Sequence, residues 1–225
     1  MPISLNPKSL PLPPGLVDAL SRVSFPTIGH FLEAGFVDPE IRTMTPGLTF
    51  VGRAVTVRVP APDGVLLHRV MAQVEPGDVI VVDTGSDRTH AVVGAVIATA
   101  AQATGAVGIV VDGVVTDVLD LRGMTIPVFA RGTSVLTTKM LGVDDGGINV
   151  PVVCGGVTVC PGDAVMADEN GVLVLDPQIA ADVVAQAVRS DEDEPGLLGA
   201  IRSGGSLPEL SRANEILSSL GYPAS

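Results

Sequence analysis

The chain has 225 residues, enough to bury a substantial core as one domain or two small ones, and 46% hydrophobic against 17% charged residues excludes a disordered chain. A formal net charge of −12 excludes a nonspecific nucleic-acid binder, which needs a basic footprint to displace counterions, and it disfavours an anionic membrane surface. With five Phe, one Tyr and no Trp, the core must come from Val, Ala, Leu and Ile, so an α/β protein with Val-rich strands covered on both faces is expected.

In chain order, residues 1–14, with Pro2, Pro7, Pro11, Pro13 and Pro14, read as an extended arm packing on the body or on a neighbour. Its first residues lack a basic-then-apolar signal pattern. From Pro14 to Ala34, Leu16, Val17, Leu20, Val23, Ile28, Phe31 and Leu32 recur with helical spacing, and Pro26 is expected to split two helices, the second capped by Thr27. His30 on that second helix reads as a surface residue. Leu48 to Val59 is one bent strand or a strand pair, with Val55, Val57 and Val59 on a buried face and Thr56 and Arg58 on a polar one. Val65 to Val74 reads as a helix with Leu66, Leu67, Val70 and Met71 inward.

Glu75-Pro-Gly-Asp-Val-Ile-Val-Val-Asp83 is a turn feeding a buried strand, and a close copy returns at Cys160-Pro-Gly-Asp-Ala-Val-Met-Ala-Asp168. In both, Pro-Gly makes the turn and the Asp serves as its local acceptor. The polar loop Thr84–His90 leads into an Ala-rich helix, Ala91 to Ala103, with Gly94 near its start, where backbone N–H groups and the helix dipole favour an anion. The uncharged run Ala91 to Val111 is long enough to span a bilayer, but Gln102, Gly105 and Gly108 make a buried helix, a stop and a strand the better reading.

Ile109-Val110-Val111 is that strand; Asp112-Gly113 is expected to break it, the glycine supplying positive φ. Thr116 then reads as the N-cap of a short helix carrying Val118, Leu119 and Leu121. A strand running through a glycine turn into a helix start is a usual place to present polar groups to a ligand. Pro127–Ala130, Val150–Val159, Ala164–Ala167 and Val172–Leu175 complete the strands. Helices are expected from about Gln178 to Ser190 and from about Gly196 to Leu220, with Asp191-Glu-Asp-Glu194 a solvated linker. Cys154 and Cys160 would stand roughly 20 Å apart along an extended segment, too far for a disulfide, so reduced core cysteines and a cytoplasmic protein are expected.

Several blocks in this order resemble the RraA-like family, named after a regulator of ribonuclease activity and including the class II 4-hydroxy-4-methyl-2-oxoglutarate aldolases. They are Pro76–Asp83, Gly94 with its Ala-rich helix, Val111-Asp-Gly-Val-Val-Thr-Asp117, Ile126–Arg131, Asn149–Val152 with Gly155-Gly156-Val157, Pro161–Asp163 and Ala167–Gly171. The resemblance implies a three-layer β/β/α swivelling-type domain over residues 1–225, with the arm (about 1–14) and a C-terminal helical extension (about 178–225). It also implies a homotrimer or homohexamer with sites at subunit boundaries. The family's aldolases use Mg²⁺ or Mn²⁺ to hold a small anionic 2-oxo acid, cleave a carbon–carbon bond and often decarboxylate oxaloacetate.

Their pattern is an acid, twenty intervening positions, Arg-Asp, two positions, then an acid. Here it falls on Ala95, Thr116-Asp117 and Asp120. Asp117 and Asp120 keep the hard oxygen donors suited to the metal, and the backbone around Gly94, Ala95, Val96 and Ile97 could receive a carboxylate. Thr116 replaces the substrate-clamping arginine, and Ala95 replaces the acid that orients water for proton transfer. His90 is the preferred substitute acid or base, with Arg88, Arg122 and Lys139 as possible compensating charges. Glu194 is the candidate for an acid reaching across the subunit boundary. Two functions follow: a divergent metal-dependent lyase, or a non-catalytic oligomeric binding or regulatory protein of the ribonuclease-regulator type. A methyltransferase is not supported, because no glycine-rich adenosine loop follows a first strand.

Overall fold

A computed structural model describes residues 2–222. Met1 of the expected arm and residues 223–225 of the expected extension lie outside them.

The first half of the chain runs β1 (Ser4–Leu5), α1 (Leu16–Leu20), α2 (Phe25–Ile28), β2 (Arg42–Thr43), β3 (Phe50–Arg58), α3 (Val65–Val70), β4 (Asp78–Asp83), α4 (Ala95–Ala103) and β5 (Gly108–Val115). The second half runs α5 (Val118–Arg122), β6 (Val128–Thr133), β7 (Gly147–Ile148), β8 (Val152–Cys154), β9 (Val157–Val159), β10 (Ala164–Asp168), β11 (Gly171–Leu175), α6 (Pro177–Arg202), α7 (Leu207–Leu210) and α8 (Ala213–Ser219). The main sheet is ordered β1-β7-β3-β4-β5-β6-β2, with β3, β4, β5 and β6 parallel and β10–β11 added antiparallel to the first half of β3. This is the mixed α/β, layered architecture that the Val-rich runs imply.

Strand alternation divides the core. Val55, Val57, Ile80, Val82, Ile109 and Val111 face α3, α4 and α5 and meet Leu67, Val70, Ala98, Ala101 and Leu121. The intervening Ala54, Val79, Val81 and Val110 face the other way, onto the β8–β9 hairpin and one side of β10–β11. The far side of β10–β11, with Met166 and Leu173, packs on α1, α2 and α6. Each fully buried Val or Leu adds about 1.5–3 kcal/mol, so near-continuous Val strands are what a doubly covered sheet requires.

Several expectations need correction. β3 is one strand with both faces covered: Thr56 is fully buried, its hydroxyl donating to Val150 O at 2.5 Å, and Arg53 is buried against Asp78. Pro26 does not split the helices. It sits in the first turn of α2, where a missing N–H costs nothing, and the break falls at Ser21–Ser24, with Ser24 as N-cap. Thr27 donates instead to Asp191 Oδ1, while Asp191 Oδ2 accepts from Ser24 N at 2.7 Å. The acidic run 191–194 is therefore no linker. It lies inside α6, and Asp191 accepts from the Ser24 N–H and the Thr27 hydroxyl at the start of α2.

The twin Pro-Gly-Asp segments fold alike, Asp78 Oδ2 accepting from Glu75 N and Asp163 Oδ2 from Cys160 N, each at 2.8 Å. Gly77 and Gly162 take φ of 90° and 100°. The cysteines are both free, but only Cys154 is buried; Cys160 is exposed and the segment between them is a hairpin, not extended. Among the described residues, no helix is long and apolar enough to cross a membrane.

Candidate active site

The site is built where β5 ends. Asp112-Gly113 does not stop the strand but forms an irregularity, with the pairing to β6 shifting between Val111 and Val114. Gly113 is not there for positive φ: a Cβ on it would meet the Thr84 side chain at 2.8 Å. Thr116 is not the cap either. Asp117 caps α5, with φ 54° and ψ 39°, a left-handed conformation uncommon outside glycine that Asp and Asn adopt more readily than other residues. Non-glycine residues held there cluster at functional sites.

The left-handed turn carries the Asp117 carboxylate away from its own helix, with no side-chain capping bond to α5. Oδ2 accepts from Ala95 N at 2.9 Å, at the first turn of α4, and Thr116 Oγ1 donates to Oδ1 at 3.3 Å. Thr116 N donates to Val93 O at 2.8 Å, and Val93 pairs with Val115, which docks the approach to α4 against the end of β5. The helix begins at Ala95, after Gly94, not at Ala91, because Ala91–Val93 is extended and bonded to Leu136, Val114 and Thr116. Gly94 is extended, and a Cβ on it would stand 2.5 Å from Asp117 Oδ2 and 2.7 Å from Thr116 Cγ2. The missing side chain is what admits the carboxylate.

The structure thus brings Gly94, Ala95, Thr116 and Asp117 together. The N–H groups of Val96 and Ile97, next along the first turn of α4, have no partner among the described residues. They stand beside the carboxylate as open donors, with the helix dipole behind them. Asp120 lies one turn along from Asp117 and is exposed. Among the described residues no group of three His, Cys, Asp or Glu side chains converges to hold a metal. Two exposed carboxylates with open solvent do match Mg²⁺ or Mn²⁺, hard cations that keep several waters and need only one or two protein carboxylates.

His90 belongs to a different cluster. Its Nδ1 lies 2.8 Å from Asp87 Oδ2, which selects the tautomer protonated on Nδ1, while Asp87 Oδ1 accepts from the backbone of Thr89 and His90. These bonds outweigh burial and hold the Asp87 carboxyl below its usual range. His90 precedes the Val93–Val115 pairing by three residues and Asp117 follows it by two, so the two side chains leave opposite ends of that contact. Asp87 also lines a polar cleft of about 510 Å³ with Arg58, Thr84, Gly85 and Asp145, which does not include Asp117. Arg88 stands 3.7 Å from Glu40, and Lys139 Nζ donates to Thr137 O. Arg122 sits in the last turn of α5, and Glu194 is exposed on α6.

Sequence reasoning missed the polar cluster under the β5 irregularity. Arg131, its side chain 6% exposed, donates from Nε to Asp112 Oδ1 and from Nη1 to Asp38 Oδ2 at 2.6 Å and Glu40 Oε2 at 3.2 Å. Burial works against its charge, but the bonds to Asp112 and Asp38 hold its pKa above the ordinary arginine value. Asp112 Oδ2 accepts from Gly155 N at 2.7 Å, and Asp112 O accepts from Thr84 Oγ1 at 2.6 Å. The available signal was a charged residue on each of two adjoining apolar strands, Asp112 and Arg131.

A family model described as Aldolase/RraA matches residues 15–174. A Halalkalibacterium halodurans protein provisionally named 4-hydroxy-4-methyl-2-oxoglutarate aldolase is 37% identical over 144 residues, 64% of this chain and 68% of its own. The crystal structure of an uncharacterized Pseudomonas syringae pv. tomato protein aligns at TM-score 0.77 with 28% identity, covering 90% of this chain and all of that one. Streptomyces coelicolor RraAS2, an unusual member of the RNase ES inhibitor RraA family, aligns at 0.72 with 26% identity, covering 85% of this chain and 99% of that one.

Proposed function

The chain belongs to the RraA-like family, and on that premise we propose that it is a divergent, divalent-metal-dependent carbon–carbon lyase acting on a small anionic 2-oxo acid. The observation that carries the reading is the Asp117 carboxylate, held in a left-handed turn beside the open N–H groups of α4. Asp117, with Asp120 through water, would hold Mg²⁺ or Mn²⁺. When bound, such a cation supplies Lewis-acid stabilisation for the negative charge that develops on the 2-oxo oxygen as the bond breaks. Val96 and Ile97 N–H would receive the substrate carboxylate, and the dipole of α4 favours that charge in a chain without the family arginine. Thr116 keeps the Asp117 carboxylate turned toward this turn. Proton transfer is assigned to water, because His90, tied to Asp87, leaves the opposite end of the Val93–Val115 contact from Asp117.

We place this chemistry in a homotrimer or homohexamer of one-domain subunits with the N-terminal arm and C-terminal extension described above. Leu119, two residues from Asp117, and Val135, next to the Ser134 whose N–H donates to Val115 O, are 79% and 97% exposed, apolar side chains that a second copy would cover. Free thiols support a cytoplasmic setting, and the −12 charge supports the absence of nucleic-acid or membrane partners.

The second reading, a non-catalytic binding protein, is favoured by Thr116 and Ala95, which remove the arginine and the acid of the aldolase pattern. Oxaloacetate decarboxylation separates the two. The bond to CO₂ breaks, its electron pair passes to C3, and a proton from water completes pyruvate. Metal-stripped protein should gain turnover with Mg²⁺ or Mn²⁺ and lose it in Asp117→Ala. Turnover no faster than the metal alone sinks the lyase and leaves the binding protein.

A further inference from the structure

The polar cluster beneath the end of β5 is absorbed by neither reading, and it sits five residues upstream of Asp117. Strand β5 pairs regularly with β6 through Val111–Ala130, slips, and pairs again at Val114–Gly132. Such irregularities re-aim the side chains that follow, and an unpinned slip of one residue would send Asp117 to the other face. Here the slip is pinned from three sides. The Asp112 side chain is held by Arg131 and by the hairpin amide of Gly155, and its carbonyl by the Thr84 hydroxyl. Gly113 closes against that same threonine. Beyond the slip, Val92 N donates to Val114 O, Val93 pairs with Val115, and Ala95 N meets Asp117 Oδ2.

We infer that Arg131, Asp112 and Thr84 are positioning residues: they fix the register in which β5 delivers Asp117 to the first turn of α4. The inference rests on reading Asp117 as the metal-holding carboxylate only where metal affinity is concerned; its geometric content concerns the metal-free protein. Removing the Asp112 charge leaves Arg131 neutralised by Asp38 and Glu40, so the fold has a route to persist while the pin is weakened.

The test compares Asp112→Asn and the milder Thr84→Val with Asp78→Asn, which weakens the buried Arg53–Asp78 pair at the opposite ends of the strands. Amide hydrogen exchange over residues 92–98 of the metal-free protein is read beside thermal stability and Mn²⁺ titration. In Asp112→Asn and Thr84→Val the Ala95 amide should lose its protection, and Mn²⁺ affinity should fall about tenfold or more, as when outer partners of metal ligands are removed. Asp78→Asn should lower thermal stability while leaving both readouts at wild-type values. Unchanged protection in Asp112→Asn overturns the inference, as does equal loss in Asp78→Asn. A wild type that binds no Mn²⁺ but shows the Asp112-specific loss of protection sinks the metal reading and keeps the positioning role.

Discussion

Two arginine–aspartate pairs, one buried and one half-buried, stand at opposite ends of the parallel strands, and their surroundings differ. At the amino ends, Arg53 holds Asp78 through Nε at 2.8 Å and Nη2 at 2.7 Å, with Ser9 O as a further acceptor and Lys8 reaching Glu75 and Asp78. Asp78 is 1% exposed, and the proline-rich arm lies over the pair as a cover. At the carboxyl ends, Arg131 spreads its bonds over Asp112, Asp38 and Glu40, and Asp112 spends its second oxygen on a hairpin amide. One arrangement ties the body to itself. The other ties three connections, 37–40, 84–90 and the Gly155 turn, to a strand that goes on to present a carboxylate. Open α/β sheets place ligands outside the carboxyl ends of their strands, and here the same chemical pair serves packing at one end and presentation at the other.

That contrast can be broken most forcefully at the amino end. Arg53→Met leaves Asp78 buried without its fork and should cost about 3–5 kcal/mol, read as a fall in thermal midpoint of roughly 10 °C. The protein that remains folded should keep wild-type oxaloacetate turnover; a proportionate loss of turnover would erase the difference between the ends. At the carboxyl end the expectation reverses. Asp117→Gly should reduce turnover about a hundredfold or more while holding or raising stability by up to ~1 kcal/mol, since glycine takes positive φ freely. Destabilisation by that change would show that the carboxylate is structural.

A smaller, pH-dependent effect sharpens the comparison. Asp63, 2% exposed, accepts from Val65 N and Leu141 N at 3.1 Å and from Val143 N at 2.6 Å, binding the 139–143 segment to the start of α3. Burial alone would raise its pKa, but these backbone donors hold it below 3.8. Its stabilisation is therefore present above the unfolded value and lost as pH falls through the depressed folded value. Asp63→Asn should cost about 1–3 kcal/mol at neutral pH and flatten the acid limb of stability below pH 4. An unchanged acid limb would remove Asp63 from the account. Least of all, Asp191→Ala should cost about 1 kcal/mol, the worth of a helix cap, because Ser24 N and Thr27 lose their acceptor.

Strands β3, β4, β5, β10 and β11 were legible because a Val-rich run between turn residues has few other solutions. The twin Pro-Gly-Asp turns were legible because their hydrogen bonds are local. What sequence could not reveal were roles assigned by distant partners. Thr116 and Asp117 both carry capping side chains, and the sequence does not show that Asp117 takes the cap position while its carboxylate bonds 22 residues away, at Ala95. The acidic run 191–194 resembles a linker until Asp191 is seen serving a helix 164 residues earlier. Asp112 and Arg131 looked like strand ends until the pairing of β5 with β6 set them side by side, one step past Val111–Ala130.

Gly94 carries a consequence for how this chain would respond to saturation mutagenesis. It offers no functional group, but any Cβ there intrudes on the Asp117 carboxylate, so even Gly94→Ala should be rejected as sharply as a lost ligand. Val96, two positions on, contributes its backbone and exposes its side chain, so it should accept almost any residue except proline. A tolerance map of the site would be read in relief: its deepest mark would fall on an absence of atoms, and a position at the heart of the site would look unconstrained.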